Sequence, residues 1–358
     1  RRPIAIDRGY ILRSLNAEDF LNHWGEVCLF YTEAIRYLED QYYVVSQEWM
    51  PSENMLVPLM IFVRELKSFD RMNESQRKFL EFWYWSAVFS NKYSGASNEA
   101  IIEDCEAFLY VSRGEPITAR SFFSRLSPKV TAADDLLSYT KRTSAIYRGV
   151  LNIIGYKAQG LRDWNSTHKL TTDMRLEDHH VYPRAYIAAA TNLDDITRDE
   201  AEQLVDCVVN RSLIPKHLNI HVGKRPPGDY LAELHTKNPG LEGCLSTHLL
   251  PPELLTDSAW NTSFKYFLKE RAEAIFDLIE GYTVDASAEV IANFGVSPGG
   301  DERPLKRRMR LADLLATGKV LAGDRVFVQK NPSLQAKILD GESVEFGGKK
   351  MGINAWGQ

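Results

Sequence analysis

LEDHHVYPRAY, residues Leu176 to Tyr186, and VVNRSLIPKHLN, Val208 to Asn219, are the two stretches on which the reading of this chain turns. Both are short apolar runs, and Pro183 ends the first because proline stops ladder pairing. Between them, Thr197-Arg198-Asp199-Glu200 is a capping box, which predicts a helix running through AEQLVDCVV. A helix therefore interrupts a strand pair. Seven of the eight histidines fall between His168 and His248, so this region is also where the chemistry concentrates.

Outward from that region the texture changes on both sides. From Tyr10 to about Gly155 long segments such as LNHWGEVCLFYTEAIRYLED and QRKFLEFWYWSAVF repeat apolar residues every three to four positions, which predicts a helical domain. The aromatic stripe Phe79, Phe82, Trp83, Trp85 and Phe89 reads as core packing rather than as a platform for stacking bases. Downstream, DSAWNTSFKYFLKERAEAIFDLIEG predicts an amphipathic helix ending near Gly281, and VSPGGDERP a linker. LADLLATG then predicts a short helix, followed by strands RVFVQ, AKILD and SVEFGG with turns at Asp340-Gly341 and Gly347-Gly348. The expected organisation is a helical domain over 1–160, a histidine-rich domain with following helices over 161–285, a linker over 286–305 and a small α+β module over 306–358.

A chain of 358 residues accommodates two or three cores. No apolar run approaches the roughly 18 residues of a membrane span, so no membrane partner is expected. The opening RRPIAIDRGY has neither an apolar signal core nor a starting Met, so the chain is expected to begin inside a longer protein. Cys28, Cys105, Cys207 and Cys244 form no C-x-x-C pair, which argues against a zinc ribbon or a disulfide framework and fits a reducing cytoplasm. A net charge of -5 gives no global sign of nucleic-acid binding. Contact with DNA would have to come from local patches: Arg211 to Arg225, holding Arg211, Lys216, Lys224 and Arg225 with no acidic residue, and Arg303 to Arg310.

The two opening stretches resemble the HNH, or ββα-metal, nuclease pattern. In that family a strand delivers an Asp-His or His-His pair followed by an apolar residue, any residue and Pro. A second strand carries a structural Asn, and a helix supplies a last Asn or His. The resemblance implies a mainly α chain with a ββα-metal HNH domain and a small α+β module. It makes His179 and Asn219 the metal ligands, His180 the general base and Asn210 the residue that completes the catalytic set by pinning the loop. An imidazole and an amide oxygen leave most positions on Mg²⁺ or Mn²⁺ free for water and phosphate oxygens. A neutral His180 can take a proton from attacking water. Consecutive strand residues face opposite ways, so one histidine reaches metal and the next water only if the strand ends there. Lys216, Lys224, Arg225 and Arg211 are the expected DNA contacts. His179 stands where many HNH sites have Asp, which leaves metal preference open.

GKRPPGDYL, LSTHLLP, FLKERA and FWYWSAVFSNKYSGAS extend the resemblance over roughly residues 10 to 285, to the C-terminal halves of GmrSD-type modification-dependent restriction endonucleases. That family implies DNA as partner and an N-terminal, nucleotide-hydrolysing sensor domain absent from this chain. The tail is similar to small modules associated with restriction and adenine-methylation enzymes. One HNH site cuts one strand at a time, so a double-strand break requires a homodimer or successive nicks. The rival readings are a catalytically silent DNA-binding module and a structural Zn²⁺ site, the latter weakened by the lack of nearby cysteines.

Overall fold

The computed structural model describes residues 6, 8–95, 97–119, 121–193, 196–255, 258–295, 311–328, 331–352 and 356. The linker stretch VSPGGDERP and the basic stretch Arg303 to Arg310 lie outside the described residues. The chain divides into two compact units, Arg1–Leu305 and Lys306–Gln358. The fold is mainly α with two small antiparallel sheets. No helix among the described residues is long and apolar enough to cross a membrane.

The first unit opens with α1 (Arg8–Ser14), α2 (Ala17–Tyr42), α3 (Leu56–Leu66), α4 (Glu74–Phe89), α5 (Ser97–Ser112) and α6 (Ala145–Lys157). Asn16 and Asp19 form a reciprocal capping box that starts α2, and Asn73 and Gln76 do the same for α4. Only the second half of α2 turns its stripe into the core, through Phe30, Ala34, Leu38 and Tyr42; Phe20, Leu21 and Trp24 in the first half are exposed. All five aromatics of the α4 stripe are buried, and the Phe79 and Trp83 rings stand edge-on to Phe108 of α5. This is core packing, as the spacing predicts.

Helix α6 ties the helical region to the strand-bearing one. Asn152 Nδ2 donates to the Trp49 carbonyl at 2.8 Å. Helix α6 packs on α2 and α4 and also on β2 (Arg211–Pro215), the partner of β1 (Leu176–His180). The two strands are antiparallel, from Leu176 opposite Pro215 to His180 opposite Arg211. Between them lie α7 (Arg184–Ala189), α8 (Arg198–Leu204) and a 3-10 turn, Val208–Asn210. The Thr197–Glu200 capping box forms as expected, but α8 stops at Leu204 rather than running through Val209. The short α9 (Lys216–Val222) comes directly after β2 and packs on both strands. Gly223 closes it at φ 62°, a conformation side-chain-bearing residues avoid.

Helices α10 (Pro227–Lys237), α11 (Leu241–Thr247) and α12 (Phe264–Glu280) complete the floor beneath the strands. The apolar stripe of α12 does not end at Gly281. A π-turn, Gly281–Asp285, carries it into α13 (Ala286–Phe294), with the Thr283 hydroxyl donating back to the Ile279 carbonyl at 2.5 Å.

The second unit holds α14 (Leu311–Ala316) and a meander of β3 (Arg325–Val328), β4 (Asn331–Ile338), β5 (Ser343–Phe346) and β6 (Lys349–Gly352), paired in that order. Leu311, Ala336, Ile338 and Val344 form its core. Gly347 and Gly348, both at positive φ, make the tight turn that adds β6, a strand that KKMG does not announce by alternation.

Two buried groups hold β2 against the helical floor. Arg271 of α12 donates to the carbonyls of Val209 at 2.5 Å and Arg211 at 2.7 Å through Nη1, and to that of His248 at 2.9 Å through Nη2. His248 donates from Nε2 to the Arg162 carbonyl at 2.8 Å and accepts at Nδ1 from the Ser212 hydroxyl at 2.6 Å. Burial pushes its pKa down to about 3.

Replacing Arg271 by Met strands three buried carbonyls, so the expected loss of unfolding free energy is more than about 3 kcal/mol in urea titrations. A loss below about 1 kcal/mol would show that other donors reach those carbonyls. His248 sets an acid limit with a definite sign. Below about pH 6.5 the unfolded chain takes up a proton that the folded chain refuses until about pH 3. Stability from this group is therefore complete above pH 6.5 and falls by about 1.4 kcal/mol per pH unit through that window. Urea melts of His248→Gln across the same window should show a shallower slope than wild type; equal slopes would remove His248 as the cause.

Candidate functional site

The site is built around the end of β1. Proline has no N–H, so the ladder cannot continue through Pro183, yet the peptide groups of Val181 and Tyr182 are buried and need partners. Asn210 supplies both. Its main-chain carbonyl accepts from Val181 N at 2.9 Å. Its side-chain amide then acts as one more peptide group, Oδ1 accepting from Tyr182 N at 2.9 Å and Nδ2 donating to the Tyr182 carbonyl at 3.0 Å. The second Nδ2 hydrogen goes to the Val205 carbonyl at 2.9 Å. Asn210 is fully buried and bonds the two residues that come after His180.

Alternation along β1 gives two faces of different character. On one, Glu177 and His179 both meet Asn219 of α9. Asn219 Nδ2 donates to Glu177 Oε2 at 2.8 Å, which turns Oδ1 toward His179, whose Nδ1 lies 2.8 Å away. The His179 ring is buried and stands perpendicular to Trp164 and Tyr230, and Nε2 is buried without a hydrogen-bond partner among the described residues. Burial lowers its pKa to about 4 despite the Asn219 bond, so the imidazole is neutral at pH 7.

On the other face, Asp178 and His180 sit beside Arg211. The Tyr147 hydroxyl of α6 donates to Asp178 Oδ2 at 2.6 Å. His180 Nε2 lies 2.9 Å from Asp206 Oδ1, and Asp206 also accepts from Arg211 Nη2 at 2.8 Å and Arg184 Nη1 at 3.1 Å. His180 Nδ1 has no protein partner among the described residues, and the side chain is partly exposed. Burial, then the Arg211 charge, lower the His180 pKa and outweigh Asp206. Burial pushes the Asp206 carboxyl up, but the His180 bond and the two guanidinium groups win and hold it below its ordinary value. At pH 7 the contact therefore joins a neutral imidazole to a carboxylate.

His179 Nδ1 and Asn219 Oδ1 are hydrogen-bonded at 2.8 Å, so a cation taking both would have to replace that bond. Neighbouring ligands on an octahedral ion with bonds of about 2.1 Å are roughly 3 Å apart. A cation taking Nδ1 leaves the imidazole proton on Nε2, the atom that has no other partner among the described residues. Among the described residues no group of three or more His, Cys, Asp or Glu side chains could hold a metal, so an ion here would complete its shell with water and phosphate oxygens.

The four expected DNA contacts separate into two kinds. Arg211 bonds Asp206 and the Asp178 carbonyl, and Arg225 is clasped by Glu233 and the carbonyls of Val222 and His221. Both are part of the framework. Lys216 lies loosely by Glu177 at 3.7 Å, and Lys224 is exposed with no partner among the described residues. His217, His168 and His235 are exposed, and His221 pairs with Glu233 at 2.9 Å. Reading by sequence missed Asp206, Glu177, Trp164 and Tyr230, and of these only Glu177 carried a local signal: it lies two residues before His179 on a strand, hence on its face.

Asn210→Ala and Asn210→Asp should each cost about 1 to 3 kcal/mol of stability, since neither can donate to the Tyr182 and Val205 carbonyls. Urea denaturation of the two variants measures this; an Asp variant as stable as wild type would mean that the amide donors carry no weight.

No family model matches the chain. An uncharacterized protein of Methanocaldococcus jannaschii is similar, with 24% identity over 201 residues, 54% of this chain and 31% of that protein. The chain thus spans about a third of the length of this curated relative.

Proposed function

We propose that this chain is a metal-dependent endonuclease of the HNH, ββα-metal kind that hydrolyses DNA phosphodiester bonds. The observation that carries the reading is the end of β1. His180 directly follows His179 of the His179–Asn219 pair, at the last position of β1 and on its other face, and Asn210 pins the turn that leads from there to α7. The antiparallel β1–β2 pair with α9 after it agrees with the order that the HNH resemblance implies.

His179 Nδ1 and Asn219 Oδ1 would hold Mg²⁺ or Mn²⁺. The ion, when bound, offsets charge on the phosphate and the departing oxygen. The rest is done by the chain. A water proton passes to His180 Nδ1 as the water oxygen bonds to phosphorus. The P–O3′ bond breaks, and the leaving oxygen takes a proton from solvent. Lys224, exposed and without a partner among the described residues, and Lys216, only loosely paired with Glu177, would meet backbone phosphate, where a point charge positions without reading sequence. By its resemblance to GmrSD-type enzymes, the chain serves as the effector part of a modification-dependent restriction system in the cytoplasm, directed by a nucleotide-hydrolysing sensor domain. Four unpaired cysteines are in keeping with that compartment.

Purified chain should nick supercoiled plasmid with Mg²⁺ or Mn²⁺ and stop when the metal is chelated. His180→Ala should lower the rate by about 10² to 10⁴ with the melting temperature and DNA affinity retained. Cleavage that survives chelation, or a variant within a few-fold of wild type, would sink the assignment. DNA binding without cutting under either cation would instead support the silent binding module.

A further inference from the structure

We infer that Asp206 is a positioning residue for His180: it holds the imidazole with its proton on Nε2 and so leaves Nδ1 bare. The catalytic consequence rests on the nuclease reading above; the tautomer does not.

A carboxylate has only lone pairs to offer, so across the 2.9 Å contact with Asp206 Oδ1 the proton must belong to His180 Nε2. In the neutral ring the opposite nitrogen is then the acceptor; it has no protein partner among the described residues, on a side chain that is partly exposed. The direction of the ring is set by the same contact. His180 is the last residue of β1, with Pro183 three residues on, so the backbone alone holds it from one side only. Asp206 lies in the turn between α8 and the 3-10 turn and reaches the ring from elsewhere in the fold.

Two arginines keep Asp206 in place. Arg211 faces His180 across the strand pair and donates to the same oxygen that meets the imidazole, at 2.8 Å, while Arg184 donates to the other oxygen at 3.1 Å. Their charges offset that of Asp206 while the imidazole is neutral. When Nδ1 takes a proton from water, the new positive charge forms beside a carboxylate already oriented toward it, with no side chain having to move. This is the division of labour of a histidine–carboxylate pair, in which the carboxylate fixes the tautomer and steadies the imidazolium without accepting the proton itself. Asp206 touches neither substrate nor reacting atoms.

The test reads the tautomer directly. Two-bond proton–nitrogen correlation on the full chain labelled with ¹⁵N-histidine, with the His180 signals identified by their loss in His180→Gln, should show a protonated Nε2 and a bare Nδ1 in wild type. Asp206→Ala should release the ring into a mixture of both tautomers. It should also lower kcat for plasmid nicking by about 10- to 100-fold, as loss of a partner that orients an active-site imidazole does, with KM unchanged. Asp206→Asn keeps an oxygen for Nε2–H while losing the charge, so it should retain the tautomer, fold as wild type and fall between the two in rate. A proton on Nδ1 in wild type, or the same single tautomer in Asp206→Ala, overturns the proposal. If the tautomer responds as stated but no form cuts DNA, the nuclease reading falls and the lock on His180 stands. If wild type cuts while the tautomer is indifferent to Asp206, the lock falls and the nuclease reading stands.

Discussion

A single side-chain amide holds the chain where β1 stops before Pro183, and the rest of the site depends on that hold. Asn210 offers one acceptor and two donors, and all three are used by buried main-chain groups of Tyr182 and Val205. No other side chain of that length has the same set. Aspartate lacks the donors, leucine lacks everything, and glutamine puts its amide one methylene too far out. The amide is itself held, because Arg271 bonds the carbonyls of Val209 and Arg211 on either side of Asn210. A buried guanidinium is costly to desolvate, and its depressed pKa, down to about 9, has burial as its largest cause. Here that cost is met by main-chain carbonyls, so the charge serves backbone geometry rather than a carboxylate.

With the strand end fixed, five residues present two unlike environments. Glu177 and His179 share Asn219, a neutral amide, in a pocket walled by Trp164 and Tyr230. Asp178 and His180 share Arg211, in a network of carboxylates, guanidinium groups and a tyrosine hydroxyl. Desolvation keeps both histidines neutral, but the surroundings differ in what they tolerate next. The His179 side can accept a cation only by shifting its proton to Nε2. The His180 side holds Asp206, a carboxylate already in contact with the ring, among the guanidinium groups of Arg211 and Arg184. Neighbours in sequence are thereby suited to opposite tasks, a division that burial alone would not produce.

How much of this was legible depended on range along the chain. The capping box at Thr197, the proline after β1 and the glycine pair at Gly347 act within three or four residues, and each formed where the sequence predicts. Asn210 was identified through a pattern, and the structure adds the reason, three hydrogen bonds to residues 5 to 28 positions away. Asp206 could not be seen: its meaning arises from 26 residues of separation to His180 and from a turn whose path no local rule specifies. Charge counting erred in the other direction. The run from Arg211 to Arg225 contains no acid, yet Asp206 and Glu233, outside it, take up its two arginines, Glu177 lies 3.7 Å from Lys216, and of the four only Lys224 has no partner among the described residues. The continuation of α12 through Gly281 was hidden because a π-turn closed by threonine and serine hydroxyls leaves no sequence period.

An isolated two-stranded pair of five residues a side is at best marginally stable in water, so this site cannot be a self-contained hairpin. Its rigidity is borrowed. Helix α6 packs on β2 while carrying Tyr147 to Asp178, α12 carries Arg271 to the turn, and α9 closes the strands with Leu218 and Val222 buried one turn apart. The hydrophobic core that includes Phe79 and Trp83 of α4 is continuous with the one that includes Val181, Tyr182 and Ile214. Packed interiors resist small displacements, so this continuity converts the bulk of the helical region into positional accuracy at His180. That explains why the helical and strand-bearing stretches form one compact unit although their sequences differ in texture. Separating them would expose the apolar side of β1 and β2 and remove the partners of Asp178 in the same stroke.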